Sequence, residues 1–226
     1  MYLLLILFAF GISGLATLYV KSRMSKYNQV RASSGLSGAE TAAHILRASG
    51  IHDVSIVPAT GIMGDHYNPA TKIIALTPDI YSGTSTTAVG VAAHECGHAI
   101  QHQQAYMPLQ LRSAAVGLTQ FSSSLMYLPF ILMFMGLLAP HTGYMVMAVG
   151  SMIIMAFNLI TLPVEYDASA RAKRMLPQLG IINGPAESHA VSSVLNAAAL
   201  TYVAAFLVSL VNVLYYLALA NGGRRR

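Results

Sequence analysis

Two histidines and a glutamate stand close together near the middle of the chain, in the segment His94-Glu95-Cys96-Gly97-His98. Their order fits H-E-x-x-H, a pattern in which both histidines bind zinc. On a helix, side chains four residues apart share a face, so His94 and His98 can reach one metal ion. We expect Glu95 to take a proton from a zinc-bound water, which is the chemistry of peptide-bond hydrolysis.

The residues around this segment indicate a helix packed inside a fold. Residues 89–93 and 99–100 are small and apolar. Histidines that face inward from such a helix need a polar partner, and a metal ion suits both of them. The alternative is a buried helix whose histidines make only ordinary hydrogen bonds. Cys96 is the only cysteine, which excludes an internal disulfide. We expect its side chain to fill space rather than to bind metal.

The composition is that of a membrane protein. Hydrophobic residues make up 55% of the chain and charged residues only 9%, whereas soluble domains have about 25% charged residues. Three uncharged runs are long enough for membrane helices, each of which needs about 20 apolar residues. The expected spans are an anchor at 1–20, a helical hairpin in 113–163 with a turn at 140–143, and a last helix at 198–220, about four in all.

The first span has an alternative interpretation as a cleaved signal peptide. Signal peptides begin with basic residues and have a shorter apolar core. Residues 1–20 carry no charge and are apolar over a longer stretch. We therefore favour an uncleaved anchor over a cleaved signal.

Basic residues orient these spans, because cytoplasmic loops carry the excess of Lys and Arg. Residues 21–112 hold seven, residues 164–197 hold three, and the turn at 140–143 holds none. We therefore expect a multi-pass protein of the bacterial inner (plasma) membrane with its active site on the cytoplasmic side. The basic tail 221–226 conflicts with this arrangement unless the last helix fails to cross. Anionic lipid headgroups account for the net charge of +5, so no nucleic acid is implied.

The segment 21–112 is predicted to form a small α+β domain. The pair Ser37 and Glu40 has the spacing of a capping box, which marks a helix start. The predicted elements are a helix at 37–49, strands at 54–57 and 72–76, and the motif helix at 84–104. The second strand is expected to pair with an extended substrate. The fold class is thus mainly α: integral membrane helices with a small α+β zincin-like metalloprotease domain, followed by a helical segment at 164–197.

A catalytic zinc usually has a third protein ligand, and Glu165 is the favoured candidate. It follows Pro163 at the end of a predicted span, where a new helix is expected to begin. The rival is His102, on the same helix face as His98. A helix rise of about 12 Å separates His94 from His102, so both cannot bind one ion from a straight helix. We expect His102 to line the cleft or to support a ligand. Looser candidates are His66, His189 and Asp65, which is expected in a loop beside His66.

Four segments carry a resemblance to a known family. They are Asp65-His66-Tyr67, HECGHAIQH at 94–102, LPVEYDAS at 162–169 and LNAAALTYVAA at 195–205. In these segments the chain resembles the bacterial membrane-bound neutral zinc metallopeptidases of the YugP-like family. The resemblance implies one Zn²⁺ per chain, bound by His94, His98 and Glu165, with Glu95 as the base. This is the gluzincin arrangement.

One position departs from the wider gluzincin pattern. Gluzincins often carry an Asp four residues after the ligand Glu, where it orients a zinc histidine. This chain has Ser169 there, and its acid comes earlier, at Asp167. The residues that support the zinc histidines therefore need another assignment. Candidates for oxyanion stabilisation or for support of a ligand are Tyr202, His189, Tyr166, His102 and Asp167.

The sequence thus predicts an integral-membrane zinc-dependent endopeptidase that acts near the cytoplasmic membrane surface. Its substrates are expected to be polypeptides, membrane proteins among them. The alternative is a non-catalytic membrane assembly or sensing subunit with a structural zinc, which would have a closed four-ligand site. A transporter or channel would carry ionisable residues inside its spans, and the predicted spans have almost none.

Overall fold

The computed structural model describes residues 2–60 and 64–222, which form helices and one small sheet. Before the sheet lie helices α1 (Tyr2–Asn28) and α2 (Gly38–Ala48). The strands are β1 (Ser55–Pro58), β2 (His66–Asn68) and β3 (Ile73–Leu76). After the sheet come α3 (Pro78–Tyr81), α4 (Thr86–Gln103), α5 (Met107–Leu125), α6 (Tyr127–Phe134), α7 (Pro140–Gln178) and α8 (Gly184–Gly222).

The chain divides into two units, and the long helices α7 and α8 contribute to both. We call the first the apolar unit; it comprises Met1–Thr17, Leu111–Leu162 and Thr201–Arg226. We call the second the site unit; it comprises Leu18–Gln110 and Pro163–Leu200. The expected basic tail at 221–226 lies mostly outside the described residues.

Helix α2 in the site unit begins and ends as its sequence predicts. The Ser37 hydroxyl accepts from the backbone N–H of Glu40, and the Glu40 carboxylate accepts from the backbone N–H of Ser37. Gly50 follows the helix with φ +68°, a left-handed conformation that glycine adopts without strain. The inner face of α2 packs against α4, with Ala42 and Ile45 fully buried. This contact gives the motif helix a rigid support.

The sheet differs from the prediction in its central strand. Its order is β1-β3-β2, with β3 parallel to β1 and antiparallel to β2. Strand β3, which was expected to accept a substrate strand, is therefore paired on both sides, and that expectation is wrong. Strand β2 was not among the predicted strands, because the segment Asp65-His66-Tyr67 was expected to be a loop. Three residues are too few to show a period-2 pattern in the sequence.

The apolar unit holds the parts of the candidate membrane spans that lie in Leu111–Leu162 and from Thr201 onward. Among the described residues, three helical stretches are long and apolar enough to cross a membrane: Met107–Phe134, Pro140–Gln178 and Gly184–Gly222. The expected anchor at 1–20 overlaps α1. Met1 and several side chains of α1 lie outside the description, so this fourth span stays a prediction. Inside the apolar unit, the Asn158 amide donates to the Ala205 carbonyl at 3.2 Å and so joins α7 to α8.

Proline positions explain where the observed helices depart from the predicted ones. The turn of the hairpin lies at 135–139 rather than 140–143, because Pro140 begins α7 and Gly136 has φ +70°. The break between α5 and α6 lies one turn before Pro129, whose ring nitrogen cannot donate to the carbonyl of residue 125.

Pro163 does not end a helix, contrary to the expectation that a new one starts near Glu165. Helix α7 continues through Pro163. A fully buried stripe on this helix begins at the next residue, and its members are spaced four apart: Val164, Ala168, Ala172 and Leu176. The packing of this stripe offsets the cost of one lost backbone hydrogen bond, about 3 kcal/mol.

Candidate metal centre

Three potential ligands from two helices meet in the site unit. Helix α4 presents His94 and His98, and α7 presents Glu165. The Glu165 Oε2 atom lies 3.1 Å from His94 Nε2 and 3.6 Å from His98 Nε2. The two imidazole rings meet edge to face, with centroids 4.8 Å apart. Since Glu165 is only 2% exposed, its carboxylate is enclosed with both rings.

The donor set fits a zinc ion. Imidazole nitrogen and carboxylate oxygen bind zinc at about 2.0–2.2 Å, which places neighbouring ligands of a tetrahedral site about 3.3–3.5 Å apart. The separations of 3.1 and 3.6 Å lie on either side of this range. Within the described residues, this is the group of three or more ligand side chains close enough to share one ion. Three protein ligands leave a fourth position for water or substrate, as in catalytic sites.

A glycine inside the motif allows α7 to approach α4. A Cβ atom at Gly97 would lie 2.7 Å from the carbonyl oxygen of Ala168 and 3.0 Å from its Cα. Such contacts are too close, so any other residue at position 97 would push α7 away. Because Ala168 is one turn from Glu165 on the same helix, Gly97 controls how near Glu165 comes to the two histidines. The sequence alone had assigned Gly97 no role.

Glu95 lies between the two histidines in sequence and is 6% exposed. Its negative charge acts on the neighbouring His98. Burial disfavours the charged imidazole, but the carboxylates of Glu165 and Glu95 outweigh this effect and raise the pKa of His98 above its ordinary value. The electrostatic potential around the two rings is therefore negative, which favours a bound cation.

Both histidines also contact a side chain through their second ring nitrogen. His94 Nδ1 lies 3.1 Å from the Ser169 hydroxyl, and His98 Nδ1 lies 3.0 Å from Gln101 Oε1. Ser169 thus occupies the position where gluzincins often have Asp, and it does contact a histidine. Gln101 was missed in the sequence. Its signal was its spacing, three residues after His98 and so on the same helix face.

Asp167 supports this arrangement through Gln101. The Gln101 amide nitrogen donates to Asp167 Oδ2 at 2.8 Å, and Arg171 Nε donates to the same oxygen at 2.6 Å. Arg171 also donates to Gln104 Oε1 at 2.7 Å. Asp167 was predicted to be an oxyanion or supporting residue. It is connected to His98 by two successive hydrogen bonds, one between His98 and Gln101 and one from Gln101 to Asp167.

His102, the rival ligand, lies outside the group of three. Its Nδ1 atom lies 2.8 Å from the Tyr67 hydroxyl, which joins α4 to β2. Both side chains line a cavity of about 160 Å³. The other lining residues are Ile51, Asp53, Val54 and Lys72, which lie next to the strands, and Ala99 and Gln103 on α4. His102 thus lines a depression beside the motif helix, and its predicted role in lining the substrate cleft or supporting a ligand stays a prediction.

The other candidate ligands have local partners. His66 Nδ1 contacts the Gly64 carbonyl, and Asp65 accepts from the backbone N–H and the hydroxyl of Thr77. His189 on α8 contacts Ser193 and the ring of Tyr27. Two candidates for the oxyanion donor remain predictions: Tyr166, which is 49% exposed on α7, and Tyr202, which lies on α8 in the apolar unit.

Comparisons with known proteins agree with this geometry. A family model described as "putative neutral zinc metallopeptidase" matches residues 2–221. The chain is 41% identical over 227 residues to the "Putative membrane protease YugP" of Bacillus subtilis (strain 168), an alignment that covers 99% of this chain and 98% of that protein. No solved structure matches the chain.

Proposed function

Because the chain belongs to the neutral zinc metallopeptidase family, we propose that it is an integral-membrane zinc-dependent endopeptidase that hydrolyses polypeptides near the cytoplasmic membrane surface. The observation that carries this proposal is the convergence of His94, His98 and Glu165, whose ligand atoms all lie within 4.8 Å of one another. The motif glutamate, Glu95, is buried on the same helix as the two histidines.

The side chains have distinct roles in the proposed reaction. His94, His98 and Glu165 hold one zinc ion. When bound, zinc supplies a Lewis acid that polarises the scissile carbonyl and makes water more acidic. Glu95 takes the proton of the attacking water and returns it to the amine that leaves. The enclosure of Glu165 and Glu95 keeps these charges in a low dielectric, where they act strongly.

A three-ligand site favours the enzyme over the alternative of a membrane assembly or sensing subunit. A structural zinc is held by four protein ligands. Among the described residues, the ligand group comprises three side chains, and His102 contacts Tyr67 instead of joining it. The position left for water is what hydrolysis needs.

We expect an extended substrate to bind at β2. Proteases often add the substrate chain to a sheet edge, where backbone hydrogen bonds hold it. Within the described residues, β2 pairs only with β3. Its Tyr67 side chain contacts His102 on the metal-binding helix. Strand β2 therefore replaces β3 as the expected substrate strand.

Purified protein incubated with casein tests the proposed activity. We expect cleavage that stops when a chelator removes the metal and returns when zinc is added. Glu95→Gln keeps the shape of the side chain but cannot take the proton, so it should bind zinc and lose activity by about 10²–10⁴-fold. A membrane protein extract is the second substrate. Native cleavage rates in Glu95→Gln would refute the general-base role, and cleavage unaffected by zinc removal would refute the metallopeptidase.

A further inference from the structure

The buried amide of Gln101 has only one orientation that satisfies its neighbours. The side chain is fully buried, and its nitrogen donates to the Val164 carbonyl and to Asp167 Oδ2, each at 2.8 Å. Neither of these oxygens can donate a hydrogen bond. If the amide were turned over, three oxygens would face one another without a proton. The nitrogen is therefore fixed toward α7.

This orientation fixes the position of a proton on His98. With its nitrogen directed at α7, Gln101 presents Oε1 to His98 Nδ1 at a distance of 3.0 Å. A carbonyl oxygen only accepts, so the proton must reside on Nδ1 of His98. Nε2, which faces Glu165, is then the nitrogen with a lone pair for the metal.

We propose that Gln101 is a positioning residue that holds His98 in the one tautomer able to bind the metal, and that Asp167 and Arg171 hold Gln101 in place. This inference rests on the metal site of the proposed function. It concerns metal binding and is independent of proteolysis. Ser169 stands where gluzincins often have an acid, and His98 is held instead by an amide from the motif helix, which Asp167 orients.

The rest of the chain of contacts returns to the motif helix. Arg171 donates through Nε to Asp167 and through Nη1 to Gln104. The positive charge of Arg171 offsets the negative charge of Asp167. The ion pair that contacts the Gln101 amide therefore carries no net charge. Gln101 of α4 and Gln104 at its C-terminal end are thus hydrogen-bonded to Asp167 and Arg171 of α7, and the two residues on each side are about one turn apart. This fixes the rotation of α7 and with it the direction of Glu165.

The two zinc histidines differ in how firmly they are set. Ser169 contacts His94 Nδ1 at 3.1 Å, but a hydroxyl can donate as well as accept. Ser169 therefore does not force a tautomer on His94, whereas Gln101 does so on His98. We expect loss of the Gln101 amide to weaken metal binding more than loss of the Ser169 hydroxyl.

Zinc affinity, measured by competition with a chelator in the purified full-length protein, tests this order. Gln101→Met keeps the length of the side chain and removes the amide, and it should weaken zinc binding about 10–100-fold. Ser169→Ala should lose less zinc affinity than Gln101→Met. Gln103 is an exposed Gln on the same helix, so Gln103→Met should keep the native zinc affinity. The visible absorption of bound Co²⁺ should change in Gln101→Met, because the ligand geometry relaxes. The melting temperature of the chelated protein separates this loss from general destabilisation.

A pair of exchanges gives a rescue that a merely structural residue would not show. Gln101→Glu places a carboxylate against Asp167 and should weaken zinc binding. Adding Asp167→Asn supplies an amide donor to the introduced carboxylate, which can still accept from His98, so the double variant should recover part of the affinity. If Gln101→Met does not fold, Asp167→Ala replaces it, with an expected loss of about tenfold. Native zinc affinity in folded Gln101→Met or in Asp167→Ala would overturn the proposal.

Discussion

At the scale of single residues, the proposed metal centre includes one carboxylate from a distant part of the chain. Glu165 lies 71 residues after His94 in sequence and 3.1 Å from it in space. We expect Glu165→Ala to lose one of three ligands and to bind zinc more weakly by orders of magnitude. Zinc content after purification by size exclusion is the measurement.

Asp79→Ala is the matched control for this change, since Asp79 is an exposed acid in the first turn of α3. It should retain zinc at the native level. Glu187 is a poor control because its carboxylate accepts from the backbone N–H groups of Ser33 and Asn183. One zinc per chain and normal activity in Glu165→Ala would show that Glu165 is not a ligand.

The raised pKa of the buried His98 leads us to expect that stability changes with pH in opposite directions in the chelated and the zinc-loaded protein. Its folded-state pKa is raised above the ordinary value of 6.5. In the chelated protein its contribution to stability is therefore fully present below that value, and it is lost as the pH rises through the higher folded-state pKa. Zinc needs the neutral imidazole, so zinc-loaded protein gains stability with rising pH.

Melting temperatures between about pH 6 and about pH 8 test this prediction. The chelated protein should become less stable across this window, and the zinc-loaded protein more stable. In His98→Gln the dependence of the chelated protein should be reduced, because Gln does not titrate. A chelated native protein with the same pH profile as His98→Gln would contradict the assignment.

At the scale of elements, the separation of α4 and α7 is set by Gly97. Gly97→Ala places a methyl group against the backbone of Ala168, whose oxygen would lie at 2.7 Å. Because backbone cannot yield as a flexible side chain does, α7 must shift. We expect a loss of about 1–3 kcal/mol in stability together with weaker zinc binding, measured by thermal unfolding and chelator competition.

Gly90 on the same helix is the control for Gly97. A Cβ at Gly90 would meet Val191 at 3.4 Å, an ordinary contact. Gly90→Ala should be tolerated, since Ala favours a helix over Gly by up to about 1 kcal/mol. Equal losses of zinc affinity in both variants would show that helix separation at Gly97 is not what matters.

At the scale of the whole molecule, the distribution of basic residues predicts which loops face the cytoplasm. The segment 21–112 carries seven Lys or Arg residues and the turn before α7 carries none. We expect a cysteine at Thr71 to be protected in intact cells and a cysteine at Thr142 to be labelled by a membrane-impermeant thiol reagent. Both native side chains are exposed.

The native Cys96 need not be removed for this experiment. It is fully buried, and burial raises the pKa of its thiol, so it should react slowly. Labelling of both positions after cell lysis is the control for accessibility. Labelling of Thr71→Cys but not of Thr142→Cys in intact cells would reverse the proposed orientation.

The amino-acid sequence by itself determined the features that depend on neighbours along the chain. The spacing of His94 and His98, the capping box of α2 and the uncharged runs all express local periodicity or local composition. These features predicted a mainly α chain with long apolar helices and a small α+β region. The structure shows this fold, and three of its described helical stretches are long and apolar enough to cross a membrane. They also predicted the motif helix to within two residues at its start and one at its end.

The tertiary structure alone decided what depends on residues far apart in sequence. No local pattern shows that β3 is the central strand, that Gly97 meets Ala168, or that Asp167 reaches His98 through Gln101. Likewise, the buried stripe after Pro163 keeps α7 continuous against the local preference of proline. Each of these is a contact energy between separate elements, and such energies exist only once the elements are packed together.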